Sequence, residues 1–483
     1  MHLLDLGVIL LYLVGVTWFG ARFRGGQKTL QDYFLGGRNA PWWAISLSIV
    51  SAETSTLTIV GTPALAFGGN LAFLQIVLGY LLARFVISII LLPQYFTGQM
   101  YTAYELMQRR FGSTIRRVTA TIFLVTRALA EGVRVFAISL VISIVLGTGE
   151  LASIIVIVCL TLFYTFEGGM TAVIWTDVIQ MGMYVLGAAA SFFIILGKIP
   201  GGWPHVVQLA GAAHKFRIFD FSFAPTAAFF AKPYTFWAGV LGGCFLTTAS
   251  HGTDQLIVQR LLSARNLQES RRALFASWIV VFVQFTLFLL IGVLLWVYFS
   301  DHHLPAPKPL DRLYPRFIWE NLPPGMAGLV IAAILAAAMA NLSAALNSLA
   351  STTVVDFYRS GAPVGSERRM LWFARLATVG WGIVLVMIGL VASHWGSVLE
   401  SGLSIASVTL GVLLGVFLLG SLTTRPGERA AIAGVVFGLA AILYVRFHTT
   451  IAFTWWVLIG ALATFSGGYI AYFFLPERQP THD

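Results

Sequence analysis

The chain has 483 residues, of which 58% are hydrophobic and only 10% charged, with a mean hydropathy of +0.83, where an ordinary soluble domain is about a quarter charged. That composition excludes a soluble enzyme or a soluble binding module. The formal net charge of +10 does not point to a nucleic-acid partner, because the cations cluster at the ends of apolar runs, where membrane topology puts them.

The first apolar run, residues 4 to 21, lacks the basic start and the small-residue cleavage site of a signal peptide and reads as a retained span. Twelve more follow at about 41–68, 71–95, 115–146, 150–166, 171–197, 234–260, 272–299, 325–356, 371–394, 401–420, 429–445 and 451–475. Each is near the length that crosses about 30 Å of hydrocarbon. The expectation is an all-α integral membrane protein of about 13 transmembrane helices, residues 1–483 forming a single transporter domain in the lipid bilayer of the cell. Cys159 and Cys244 lie inside apolar runs and are expected to be buried, inert thiols.

With the amino terminus outside, eighteen cations fall in inner loops, from Arg22 and Arg24 through Arg260, Arg359 and Arg478, against eight in outer loops. The positive-inside rule therefore predicts an outside amino terminus and a cytoplasmic carboxyl terminus. Residues 198–233 and 300–324, rich in Pro, Gly and aromatics, are expected to lie over the outer face as short caps.

Ionisable and hydroxyl-rich stretches at membrane depth cost about 2.5 kcal/mol or more per charge, so they are functional candidates. The second span carries Ser46, Ser48, Ser51, Glu53, Thr54, Ser55, Thr56 and Thr58 ahead of Gly61 and Pro63. A discontinuous helix with freed carbonyls for Na+ and hydroxyls for a polar solute is one reading, and a Ser/Thr packing face is the other. The ninth span, from Ala336 to Ser348, is a run of small residues that taken alone reads as close packing. In the fourth span Arg127, Glu131 and Arg134 share one helical face and form either an internal ion-pair network or the wall of an aqueous cavity. Asp177 in the sixth span is a cation ligand, a proton site or a structural carboxylate, and Arg84 has no reading beyond snorkelling or packing. Sequence signatures of catalysis, such as GxSxG, HExxH and the P-loop, are missing, so no enzyme is expected.

Several runs taken together and in order resemble the sodium/solute symporter family, which includes sodium/glucose, proline and sialic acid cotransporters. They are Ser51-Ala52-Glu53, the stretch from Tyr104 and Glu105 to Gly112, the stretch from Gly168 through Trp175, Thr176, Asp177 and Gln180, the group Asp254, Gln255, Gln259 and Arg260, and the run ending in Leu346-Asn347-Ser348. The resemblance implies a LeuT-type five-plus-five inverted repeat, with residues 41–197 and 234–420 as the two halves, 4–21 as an extra helix in front and 429–475 as two helices behind.

The resemblance also implies a site. One Na+, the coupling ion and the only cofactor, would sit on the carbonyls of Leu47, Val50, Ala337 and Ala340 and on the side chain of Asn341. The family usually has hydroxyls at the last two positions, so one is lost here and the other is exchanged for an amide oxygen. A second Na+ would use Asp177 and Ser343, where a further matching position is Ala344. Substrate would meet Ser51, Glu53, Thr54, Ser55, Thr58, Phe73, Gln75, Arg127, Glu131 and Arg134. The implied function is Na+-coupled symport by alternating access, importing a sugar, sialic acid or another organic acid. An amino-acid symporter and an H+-coupled symporter are the alternatives, with a transporter-like solute sensor as the rival from another class.

Overall fold

The computed structural model describes residues 3–26, 28–98, 100–146, 149–308, 310–358, 367–392 and 398–475, and among these it contains helices and no strand. Arg359 and Arg478, expected in inner loops, and the end of the tenth apolar run fall outside the described residues.

Helix α1 (Leu3–Ala21) leads to the short α2 (Leu30–Leu35), which a Thr29–Asp32 capping box starts and left-handed Gly36 ends. The second apolar run is α3 (Trp42–Glu53) followed by α4 (Thr56–Gly68), bent by 66°. The break has a local cause. Thr54 turns its amide (2.9 Å) and hydroxyl (2.8 Å) back onto the Val50 carbonyl and closes α3, while Ser55, in extended conformation, begins α4 through a capping box with Thr58. The helix of this span is therefore discontinuous.

Helix α5 (Leu74–Val86) passes through a π turn, Ile87–Leu91, into α6 (Leu92–Tyr95). Next come α7 (Tyr104–Phe111), α8 (Ser113–Leu146) and α9 (Glu150–Gly197). The fifth and sixth apolar runs join as α9, interrupted at Gly169, whose φ of 53° needs glycine and where a Cβ would stand 2.6 Å from the Tyr33 carbonyl. Two short helices, α10 (Gly202–Ala212) and α11 (Ala227–Phe230), occupy the segment 198–233.

A π turn at Ala238–Gly242 opens α12 (Gly243–Gly252), which stops at Thr253, and Asp254 then caps α13 (Gln255–Leu262) by accepting from the Leu256 amide at 2.9 Å. The remaining helices are α14 (Leu267–Asp301), α15 (Leu313–Asn321), α16 (Met326–Thr352), α17 (Glu367–Ala392), α18 (Val398–Leu422), α19 (Glu428–His448) and α20 (Trp456–Phe474).

Among the described residues eight helices are long and apolar enough to cross a membrane, or nine if α3 and α4 make one bent span. Large apolar side chains such as Leu186, Phe193, Ile279 and Val283 are exposed on the outside of the bundle, the surface that faces hydrocarbon. Cys159 also lies there, so the expectation of a buried thiol at that position is corrected: the residue is apolar enough to face lipid. At the opposite extreme is α16, whose apolar window is 94% buried, because its alanine run lets α1, α3, α8 and α9 approach it closely.

Candidate functional site

The α3/α4 break sits against α14 and α16. Thr54 exchanges hydrogen bonds with Gln284 of α14 (2.8 and 3.2 Å), and Asn341 of α16 donates its amide to the Ala52 carbonyl at 2.7 Å. The ninth span, which alone looked like packing, thus delivers a polar side chain to the broken helix. The Ser51 hydroxyl is buried there with no hydrogen-bond partner among the described residues.

On α8, Arg127 donates to Glu131 at 3.1 Å and forms a short contact with Asp254 at the α12/α13 break. Arg134 forms a similarly short contact with Glu131 and donates from the same nitrogen, Nη1, to Asn341 Oδ1 at 3.2 Å. A guanidinium only donates and an amide oxygen only accepts, so these neighbours fix the orientation of Asn341. A small cleft opens beside Arg134, with Ser55, Thr56, Glu131 and Asn341 on its polar side and Val135, Ile138, Ile157, Ala338 and Leu342 on its apolar side. All three side chains of this charge row join one internal ion-pair network, and Glu131 and Arg134 also border the cavity.

A second charged group lies at the end of α3. Glu53 accepts from His251 (3.2 Å) and lies 3.9 Å from Arg84, whose guanidinium also meets His251 at 3.3 Å. Arg84 is fully buried, and its Nε and Nη1 have no hydrogen-bond partner among the described residues. Snorkelling is therefore ruled out for Arg84. His251 had no signal in the sequence, whereas Arg84, a cation in mid-run, was a visible one.

Asp177 meets Arg260 of α13 at 2.8 Å and accepts from Ser48 of α3 at 2.5 Å, while Arg260 also donates to Ser48 at 2.8 Å. The pair is 0% and 1% exposed, so Arg260 is corrected from a loop cation to a buried partner. Ser343 turns inward on its own helix, donating to the Ala340 carbonyl at 3.0 Å, and no hydrogen bond joins it to Asp177.

The other nominated residues divide. Leu47 and Val50 lie on α3 and Ala337 and Ala340 on α16, two helices in contact, but Val50 already accepts twice from Thr54 and Ala340 accepts from Ser343. Ser55 and Thr58 pair across the start of α4. Phe73 and Gln75 are not brought to the cavity. The Gln75 amide donates to the carbonyls of Ala72 (3.1 Å) and Tyr234 (3.2 Å) and accepts from Asp220 (3.0 Å), and Phe73 packs on Phe285.

A membrane bundle with two interrupted helices, one of them bordering a cleft lined by buried charges and hydroxyls, is the architecture of a secondary transporter. The chain belongs to the sodium:solute symporter family, whose pattern it matches over residues 33–438. It is 28% identical over 442 residues to the sodium-coupled monocarboxylate transporter 2 of Mus musculus, covering 89% of this chain and 70% of that protein. It is 28% identical over 499 residues to the sodium/sialic acid symporter SiaT of Proteus mirabilis, covering 99% of this chain and 97% of that one. A solved structure of a Na+-coupled sialic acid symporter in a substrate-bound outward-open state superposes with a TM-score of 0.87 at 26% identity over 98% of both chains. The fold is thus of the LeuT type and the chain is a multi-pass membrane symporter coupled to Na+.

Proposed function

We propose that this symporter imports a small organic carboxylate together with Na+ by alternating access. The observation that carries the reading is Arg134. Both of its hydrogen bonds leave through Nη1, so its Nε and Nη2 donors remain for a ligand in the cavity beside Ser55 and Thr56. A planar guanidinium suits a carboxylate, and the start of α4 adds backbone donors and the positive end of a helix dipole. Relatives named for monocarboxylates and for sialic acid both carry that group. An amide-engaged Gln75 and a packed Phe73 leave the solute subsite to Ser51, Ser55, Thr56, Thr58, Glu131 and Arg134, with Glu53 and Thr54 bordering it and Arg127 behind.

For Na+ we assign the carbonyls of Leu47, Val50, Ala337 and Ala340 with Asn341, α3 and α16 being in contact. Asp177, paired with Arg260, is left out, so the assignment is one Na+. One cation moving with one carboxylate carries no net charge. The membrane potential then adds nothing, and accumulation follows the Na+ concentration ratio alone, about tenfold per tenfold gradient or ~1.4 kcal/mol. The inverted-repeat division into 41–197 and 234–420 is supported by the two breaks, at Thr54–Ser55 and Thr253–Asp254, each in the first long helix of its half. The amino terminus outside and the carboxyl terminus inside complete the reading.

A second reading, H+ as the coupling ion, rests on one contact, the Glu53–His251 bond at 3.2 Å. The deciding experiment is the melting temperature of the detergent-purified protein in Na+ against K+ at matched ionic strength, over sugars, sialic acids, short carboxylates and amino acids. A Na+-specific rise that carboxylates enlarge, and that Asn341→Leu abolishes, is expected. A rise with lower pH and none with Na+ would transfer the coupling to H+.

A further inference from the structure

The amide nominated for Na+ is also the amide that holds Arg134. Asn341 presents one oxygen, and the guanidinium of Arg134 donates to it at 3.2 Å, while the amide nitrogen is tied to Ala52 at the end of α3. Asn341 meets the cavity only at its edge. Asn341 is 3% exposed and the α16 segment around it is buried on all sides. Two cations sharing one oxygen in such a place repel each other strongly, because little water screens them. Arg134, by contrast, has somewhere to go: its side chain is 28% exposed and borders the cavity.

We propose that Na+ and the Arg134 guanidinium compete for Asn341 Oδ1, and that this exchange is the coupling device of the transporter. Na+ arriving at Asn341 displaces Arg134 toward the cavity, where it meets the solute's carboxylate. The carboxylate, by holding Arg134 in the cavity, removes the competitor from the Na+ site. Each ligand raises the other's affinity by the same factor, as linkage requires. Glu131 makes the exchange short in range, since it grips the Arg134 side chain from the same helix and keeps it within reach of both positions. The inference rests on the Na+ and carboxylate assignments made above.

The test is a pair of titrations on the full-length protein. Na+ affinity is read from the melting temperature in choline-balanced buffer, with and without saturating lactate or N-acetylneuraminate. In the unmodified protein the solute is expected to tighten Na+ binding. Arg134→Gln removes the competing charge, so Na+ alone is expected to bind roughly tenfold tighter than in the unmodified protein, while the solute's effect on it falls to about one-fold. Asn341→Thr keeps an oxygen for Na+ but is too short to hold Arg134, and it is expected to lose most of the coupling in the same way, which covers the case that Arg134→Gln fails to fold. If Arg134→Gln binds Na+ no more tightly than the unmodified protein, Arg134 is a solute ligand only and the competition is overturned with the Na+ site intact. If the unmodified protein shows no Na+-specific stabilisation at all, the Na+ assignment falls and this inference with it.

Discussion

Replacing Asp177 by Asn separates a structural role from an ion-binding one. The change leaves Arg260 buried and unpaired between α3, α9 and α13, with Ser48 as its remaining polar side-chain partner. Removing one member of a buried ion pair costs about 3–5 kcal/mol, because the surviving charge keeps its desolvation penalty and loses its partner. An unfolding entropy of ~2.1 cal/mol/K per residue gives ~1 kcal/mol/K over the 483 residues of the chain. The melting temperature in Na+-free buffer should therefore drop by about 3–5 °C. The assay is thermal unfolding of the purified protein in choline, for Asp177→Asn and for the double variant Asp177→Leu/Arg260→Met. The double variant, which removes both charges, should regain most of the loss. Were Asp177→Asn to keep its melting temperature in choline and lose Na+ stabilisation instead, Asp177 would be an ion ligand, and the pairing argument would be refuted.

Three further outcomes are expected. Lys215, between α10 and α11, donates to the carbonyls of Phe67 (2.6 Å) and Gly69 (2.9 Å) at the end of α4 and lies over Trp296, so Lys215→Met should cost about 1–3 kcal/mol locally; faster hydrogen exchange over α4, with the rest of the bundle unchanged, is the measurement. Gly79 of α5 faces the π turn before α12, where a Cβ would stand 2.6 Å from the carbonyls of Gly239 and Val240, and Gly79→Ala should lower stability by about 1–3 kcal/mol. Its melting temperature should fall equally in Na+ and choline, since the contact is away from the ion site. Glu53→Gln weakens the hold on Arg84 and His251, and solute binding should fall at least about tenfold while Na+ stabilisation persists; the reverse pattern would favour Glu53 as the coupling group.

The broken second span was legible because the cause is local: hydroxyls of Thr54, Ser55 and Thr58 bond to backbone within four residues, and sequence order alone brings those groups together. The break at Thr253–Asp254 was less visible, since a single Asp cap in an apolar run leaves little compositional trace. The charge row of α8 was legible as a shared face, but its division was not. Whether Arg127 or Arg134 borders the cavity depends on Asp254 and Asn341, which are 127 and 207 residues away along the chain.

By itself the sequence determined that the chain lives in a membrane, that its helices cross it repeatedly, where one of them breaks and to which family it belongs, because composition, run length and short-range hydrogen bonding are properties of neighbours in the chain. Only the tertiary structure decided the partners of the buried charges. It joined Arg84 to Glu53 and His251, gave Asp177 to Arg260, took Gln75 away from the cavity and set Arg134 on Asn341. A charge at membrane depth announces that it must be compensated, but the compensating group is chosen by how distant helices pack.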